Sequence, residues 1–328
     1  MSITVGIAGA TGYAGQELLR LAVRHPALEV TAAMGSGASE QVRTLPALTR
    51  IWDGKITPLS VDQLAATTQA VFLTLPDAVA ATVGPDLMAR GVRVFDLSGT
   101  FRLRNVAQRH RWYPATPDLD EAVVYGLPEH YRADLPAARL VACPGCYPTA
   151  AVLALRPLCD ANLLEGDVVV DAKSGISGAG KRPTERTHFS ECHGSVAAYG
   201  VLAHRHGAEI EQELNRPVTF TPHLVPLDRG ILETIYVRTR TGVGATDIAE
   251  TLERAYADAP FVRLTGEALP EIKHVTHTNL CDIGWKHDPT SRRLVMIACL
   301  DNLVKGAAGQ ALQNLNLAFG LDEVTGLL

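Results

Sequence analysis

The sequence lacks a strong charge of either sign. Its 328 residues carry a formal net charge of -5, so no broad basic surface invites nucleic acid or anionic lipid. Long apolar runs are also missing. Ala150 to Leu155 stops at Arg156, far short of a membrane span. The strand-like Ile3 to Ala8 begins too early for the charged and apolar regions of a signal peptide. Cysteine is sparse: six in a chain this long fit a reducing compartment better than a disulfide scaffold. A cytoplasmic protein with neither membrane nor nucleic-acid partners is the expectation. No repeat, linker-like tract or low-complexity segment interrupts the chain. What remains, 47% hydrophobic and 20% charged residues, is ordinary for a soluble globular protein with room for two domains.

The first half alternates in period. Ile3–Ala8, Leu28–Ala33, Ala70–Leu75 and Arg93–Asp96 read as strands, with helices over Ala14–Arg24 and Ala78–Arg90. That alternation predicts βαβ units and a parallel sheet, an α/β fold of Rossmann type. After Thr149 a helix is expected to about Ala161, then strands at Val168–Lys173, Glu233–Arg240, Cys281–Trp285 and Leu294–Leu300. With helices near Ala208–Leu214 and Thr246–Ala259, this half reads as α+β. A final helix, Val304–Phe319, carries one apolar face.

Gly9-Ala10-Thr11-Gly12-Tyr13-Ala14-Gly15 follows the first strand and opens the first helix. Glycine lets the backbone turn tightly and approach a pyrophosphate, which the helix N-terminus then receives. The context is the one a dinucleotide site requires. At the end of the second strand no acid appears until Glu40. NADP(H) is therefore favoured over NAD, with Ser36, Ser39 or Arg43 as partners for a 2′-phosphate.

Cys143-Pro144-Gly145-Cys146-Tyr147-Pro148-Thr149 is the most informative stretch. A strand ends, Pro144-Gly145 turns the chain, and a helix is expected near Pro148. Cys146 then stands at a helix start, where free N–H groups lower a thiol pKa and can hold an oxyanion. A redox Cys-x-x-Cys pair or a buried structural thiol are the competing readings. A zinc site would need a second ligand pair; His188, Glu191, Cys192 and His193 form no recognised pattern, so no metal is expected. Cys159, Cys281 and Cys299 lie in apolar segments and read as core residues.

A thiol nucleophile needs a proton partner. His204-Arg205-His206, ahead of Glu209, Glu211 and Glu213, combines proton transfer with anion binding. The basic clusters Arg102 to Arg111 and Lys181 to Arg186 read as solvated loops or as contacts for an anionic substrate. The loop from Lys173 to Lys181 offers N–H groups and hydroxyls to a carboxylate or phosphate, but lacks Walker A spacing.

Together these residues resemble the N-acetyl-gamma-glutamyl-phosphate reductases, the arginine-pathway branch of the semialdehyde dehydrogenase family. The resemblance runs almost end to end. It covers Gly9–Gly15, Asp96–Leu103, Tyr125–Glu129, the Pro-Gly-Cys-Tyr-Pro-Thr elbow, the Lys173 loop, Ala198–Gly200, the His204 triplet and Asp301–Gly306. It implies Cys146 as nucleophile and His204 as acid and base, with His206 beside it. Leu75, Pro76, Ser98, Ser177, Gly178, Asn302 and Gly306 would join the glycine turn around the cofactor. Arg102, Ser174, Gly175, Glu191, Arg205 and His206 would meet the substrate. The NADP-binding domain would span 1–145 and be completed by 301–328, with a catalytic and oligomerisation domain over 146–300. A homodimer or homotetramer follows from the same resemblance, as do an acyl phosphate, a semialdehyde and phosphate as small-molecule partners. Two departures stand out: Cys143 takes a position where relatives often carry Asn, and the cofactor loop lacks their Ser-Arg pair.

Two rivals share the chemistry, on a carrier-bound aminoadipyl phosphate or on aspartyl phosphate. Tyr147-Pro148 after the nucleophile, where aminoadipyl relatives tend to carry Asn-Ala, argues against the first. A non-catalytic dinucleotide sensor would have no need of Cys146 and His204. A thiol–disulfide oxidoreductase would require Cys143.

Overall fold

The computed structural model describes residues 2–37 and 41–328. The chain divides into two compact units, one of Met1–Pro144 with Ala307–Leu328 and one of Gly145–Gly306.

In chain order the first unit holds β1 (Ile3–Ala8), α1 (Tyr13–Ala22), β2 (Leu28–Met34), α2 (Val61–Thr67), β3 (Ala70–Leu73), α3 (Asp77–Ala89), β4 (Arg93–Asp96), α4 (Val106–Trp112), β5 (Val124–Tyr125), α5 (Pro128–Tyr131) and β6 (Leu140–Ala142). The second holds α6 (Cys146–Asp160), β7 (Leu164–Gly175), α7 (Phe189–Cys192), β8 (Ala197–Ala198), α8 (Arg205–Leu214), β9 (Val218–Val225), β10 (Ile231–Thr239), α9 (Ala245–Tyr256), β11 (Val262–Gly266), β12 (Cys281–Asp288) and β13 (Arg293–Leu300). α10 (Gly309–Ala318) returns to the first unit.

The first sheet runs β2-β1-β3-β4-β6-β5, parallel throughout. Its central strands are uninterrupted apolar runs, as a sheet covered on both faces demands: all four residues of β3 are buried. Phe72 and Phe95 pack at 5.5 Å on neighbouring strands. Helix α10 contributes Ala311, Leu312, Leu315 and Ala318 to the core that includes Val5, Ile7 and Leu18. The strand order reverses between β1 and β3, and ligands of such sheets bind at the carboxyl ends beside that point. The glycine turn lies there.

The second sheet is mixed, ordered β11-β12-β13-β10-β7-β9-β8. β10 lies antiparallel to both β13 and β7, while β7 and β9 are parallel. Burial alternates along β10: Ile231, Ile235 and Val237 are covered, whereas Tyr236 and Arg238 are exposed. Helix α6 packs on β10 and β13, and Tyr256 of α9 donates its hydroxyl proton to the Leu153 carbonyl of α6.

The sequence predicts one helix from Val304 to Phe319, but Val304–Ala308 forms a π-helical turn before α10 begins. The cause is Asp301. Its main-chain carbonyl takes the Gly306 N–H at 2.9 Å, an i to i−5 bond, and its Oδ1 accepts from Leu303 and Val304. Helix α6 likewise starts two residues earlier than Pro148 suggests, which puts Cys146 itself in its first turn.

Candidate active site

The glycine turn of the first unit is shaped by what a side chain would strike. Gly9 has φ +92°, and a Cβ there would stand 2.3 Å from the Thr74 carbonyl oxygen. A Cβ on Gly15 would stand 2.3 Å from the Gly9 carbonyl oxygen. Gly12 is the N-cap of α1 and no side chain caps it, so the leading N–H groups of Tyr13 and Ala14 suit an anion. The β2 end is tied to this turn, since the Met34 carbonyl accepts from Gly9 and Ala10 at 2.9 and 2.8 Å. Ser36 follows directly. Ser39 lies outside the described residues, and Arg43 pairs its backbone with Ile56. Leu75 and Pro76 follow β3, with Pro76 as the N-cap of α3. This cradle, open only to main-chain approach, fits a pyrophosphate.

Beside it, Ser98 donates to the buried Asp96 carboxylate from its N–H at 3.0 Å and its hydroxyl at 2.7 Å. Burial pushes Asp96 up to about 6, against the pull of the Ser98 donors and nearby Arg102. Arg102 is buried and its guanidinium is committed: Nε donates to the Cys143 carbonyl at 2.7 Å and Nη2 to the Leu97 carbonyl at 2.8 Å. Those two bonds brace the strand ends, and Arg102 also lines a small cavity with Phe101, Leu103 and Arg104. Cys143 is 1% exposed, and burial, reinforced by Asp96, pushes its thiol far up. It remains a thiol at any ordinary pH.

The second unit holds the nucleophile. Gly145 caps α6 in an extended conformation, and Cys146, half-buried, is the first helical residue. Pro148 in the first turn costs no hydrogen bond. Thr149 donates its N–H (3.0 Å) and hydroxyl (2.9 Å) to the Gly145 carbonyl. Gly306 closes against the nucleophile: a Cβ there would come within 2.8 Å of the Cys146 Cβ.

His204 is the N-cap of α8, and its Nδ1 accepts the His206 N–H at 3.1 Å. The neutral ring therefore carries its proton on Nε2. Burial, then the Arg205 charge, pulls His204 down to about 4. His206 is 8% exposed and lies flat on Gly145, where a Cβ would meet its Nε2 at 2.5 Å. The two imidazoles are 4.7 Å apart, edge to face, and both touch Tyr147. Tyr147 donates to the His223 carbonyl at 3.2 Å and receives the Tyr199 hydroxyl at 3.3 Å. Burial pushes Tyr199 up to about 12, so this pair stays protonated.

The Lys173 loop joins the same unit. Ser174 is buried and donates to the Gly175 carbonyl at 3.0 Å. Asn302 accepts from Gly230 N–H at 2.7 Å and donates to the Ser177 hydroxyl at 2.9 Å, while Gly178 packs against Ser174. Glu191 is exposed at a cavity of about 590 Å³ whose walls include Ile176, Arg186, Ala197 and Leu224. Arg205 is exposed at the start of α8. Two residues escaped the sequence reading. Arg186, seen there only as one of a basic cluster, lies over the Tyr199 ring at 5.8 Å. Glu209 was seen only as a neighbouring acid, yet its Oε1 accepts the Gly145 N–H at 2.8 Å. Its spacing of three from His206 on a helix was the available signal. Among the described residues no cluster of His, Cys, Asp or Glu could hold a metal, and no helix is long and apolar enough to cross a membrane.

Residues 4–138 match the family model for the semialdehyde dehydrogenase NAD binding domain, and residues 146–302 match that for the semialdehyde dehydrogenase dimerisation domain. An N-acetyl-gamma-glutamyl-phosphate reductase of Symbiobacterium thermophilum is 46% identical, aligned over 100% of this chain and 98% of that protein. One from Brevibacillus brevis is 43% identical over 99% and 98%. Aspartate semialdehyde dehydrogenase II of Vibrio cholerae, solved with ASA, shares the fold with a TM-score of 0.74 at 19% identity, over 98% of this chain and 99% of that one. The chain belongs to the semialdehyde dehydrogenase family, an oxidoreductase of its N-acetyl-gamma-glutamyl-phosphate reductase branch.

Proposed function

We propose that the protein reduces N-acetyl-L-glutamyl 5-phosphate to N-acetyl-L-glutamate 5-semialdehyde with release of phosphate, through a thioester on Cys146. The observation that carries this is Cys146 as first residue of α6, with His206 lying on the glycine before it. The helix N-terminus favours the thiolate, and His206 accepts the thiol proton. The thiolate attacks the C5 acyl carbon, the first N–H groups of α6 receive the oxyanion, and the carbon–oxygen bond to phosphate breaks.

NADPH, when bound, supplies a hydride to the thioester carbon, and the glycine turn with Ser98 are the residues that would hold it. His204 presents its Nε2–H to the thiohemiacetal oxygen and steadies its charge. Its lowered pKa makes it a hydrogen-bond donor and a poor proton carrier at neutral pH, so the proton returns from His206. Collapse of that oxyanion frees the aldehyde and expels the Cys146 sulfur, which takes back the proton that His206 received.

Arg186 and Glu191 line a cavity of the same unit and would meet the amino-acid end of the substrate, as would Arg205, whose charge acts with that of Arg186 on Tyr199. The second unit, matched to a dimerisation domain, would carry assembly into a homodimer or homotetramer in the cytoplasm. The assay is NADP reduction by N-acetyl-L-glutamate 5-semialdehyde with and without phosphate. Turnover that needs phosphate supports the reading; oxidation of aspartate semialdehyde alone overturns it.

A further inference from the structure

The chemistry above leaves Glu209 without a task, although it is 1% exposed. It lies on α8 one turn after His206, and both residues close on Gly145: His206 through its ring, Glu209 through Oε1 on the Gly145 N–H at 2.8 Å. The Gly145 carbonyl is held by Thr149, from inside α6 itself. The N–H, in contrast, is held from another helix. A buried main-chain N–H stripped of its acceptor is costly, and a Pro-Gly turn has no side chain of its own to fix its plane. A carboxyl group is an expensive acceptor to bury, which argues that this hydrogen bond is worth keeping.

We propose that Glu209 is a positioning residue: its carboxyl group sets the Gly145 peptide and so holds Cys146 in register with His206. The inference rests on the thioester reading for its effect on turnover, but not for its effect on the thiol itself. Gln in its place keeps an oxygen at the same reach. Asp draws the acceptor back by one methylene, and Ala removes it.

The test uses the full chain with Glu209→Gln, Glu209→Asp and Glu209→Ala. Two quantities are measured: kcat and KM for semialdehyde oxidation, and the rate of Cys146 alkylation by iodoacetamide across pH. Glu209→Ala is expected to lose at least 100-fold in kcat, with KM changed less than threefold. Its Cys146 alkylation midpoint is expected to rise as the thiol leaves the helix start. Glu209→Gln should recover to within tenfold of the parent. Parental kcat and alkylation in Glu209→Ala would overturn the proposal. If Glu209→Ala fails to fold, the comparison of Gln with Asp decides: Asp at least tenfold below Gln supports it, and equal rates overturn it. A parent inactive on the semialdehyde, with the Ala shift in alkylation intact, would sink the substrate reading and leave the positioning role standing.

Discussion

His204 Nδ1 accepts the backbone N–H of His206 at 3.1 Å, so the first histidine of the triplet caps the helix that carries the second. In the mechanism proposed above, this bond divides their work. It fixes the tautomer of His204 and leaves His206 against the glycine that precedes the nucleophile.

A pH dependence follows from that cap. His204 has its folded pKa lowered from 6.5 to about 4, so between those values the unfolded chain binds more protons. Stability is full above about pH 6.5 and falls as pH drops toward 4, by on the order of 2–3 kcal/mol. His204→Asn, which keeps a cap, should flatten this fall in thermal melts across pH 4–7 and lower kcat more than tenfold. An unaltered acid limb would contradict it.

Glu233 gives the opposite sign. It is 0% exposed on β10, and among the described residues neither carboxyl oxygen has a hydrogen-bond partner. Burial raises its pKa well above 4.5 despite the pull of Lys173. The protonated form is the folded form, so stability falls as pH rises above 4.5. Glu233→Met, close in volume, should raise Tm, more at pH 9 than at pH 5. A lower Tm at both pH values would show that the carboxyl group has a partner.

Gly15→Ala should place a methyl group against the Gly9 carbonyl, where 2.3 Å is available. NADPH affinity, read by cofactor fluorescence, is expected to fall at least tenfold. Unchanged affinity would mean that the glycine turn is not the pyrophosphate cradle.

Gly306→Ala places its methyl group against Cys146 Cβ. A loss of kcat exceeding tenfold, with NADPH affinity held within threefold, is the expected pattern. A variant as fast as the parent would show that the π-helical turn has slack beside the nucleophile.

Much of this was legible in sequence wherever one force dominates. β1 and β3 announce themselves as apolar runs, and β10 by alternation. β9 did not, because Pro222 within it argues against a strand, and the five residues of β11 are too short to show a period. The π-helical turn has no periodic signature either, since Asp301 makes it by a single carbonyl. At the site, Cys146 was legible from its turn residues. The division proposed for His204 and His206 was not, because a cap and a proton acceptor carry the same side chain. Glu209 was hidden for a related reason: its partner is a main-chain N–H sixty-four positions away.

The thioester itself can be caught. Mixing the protein with N-acetyl-L-glutamate 5-semialdehyde and NADP, without phosphate, should stall it as the acyl-enzyme, and peptide mass mapping then locates the acyl group. The account predicts one N-acetylglutamyl adduct on the peptide holding Cys146, lost in Cys146→Ser, kept in Cys143→Ser and released by added phosphate. An adduct that persists in Cys146→Ser, or phosphate-dependent turnover in that variant, would contradict it.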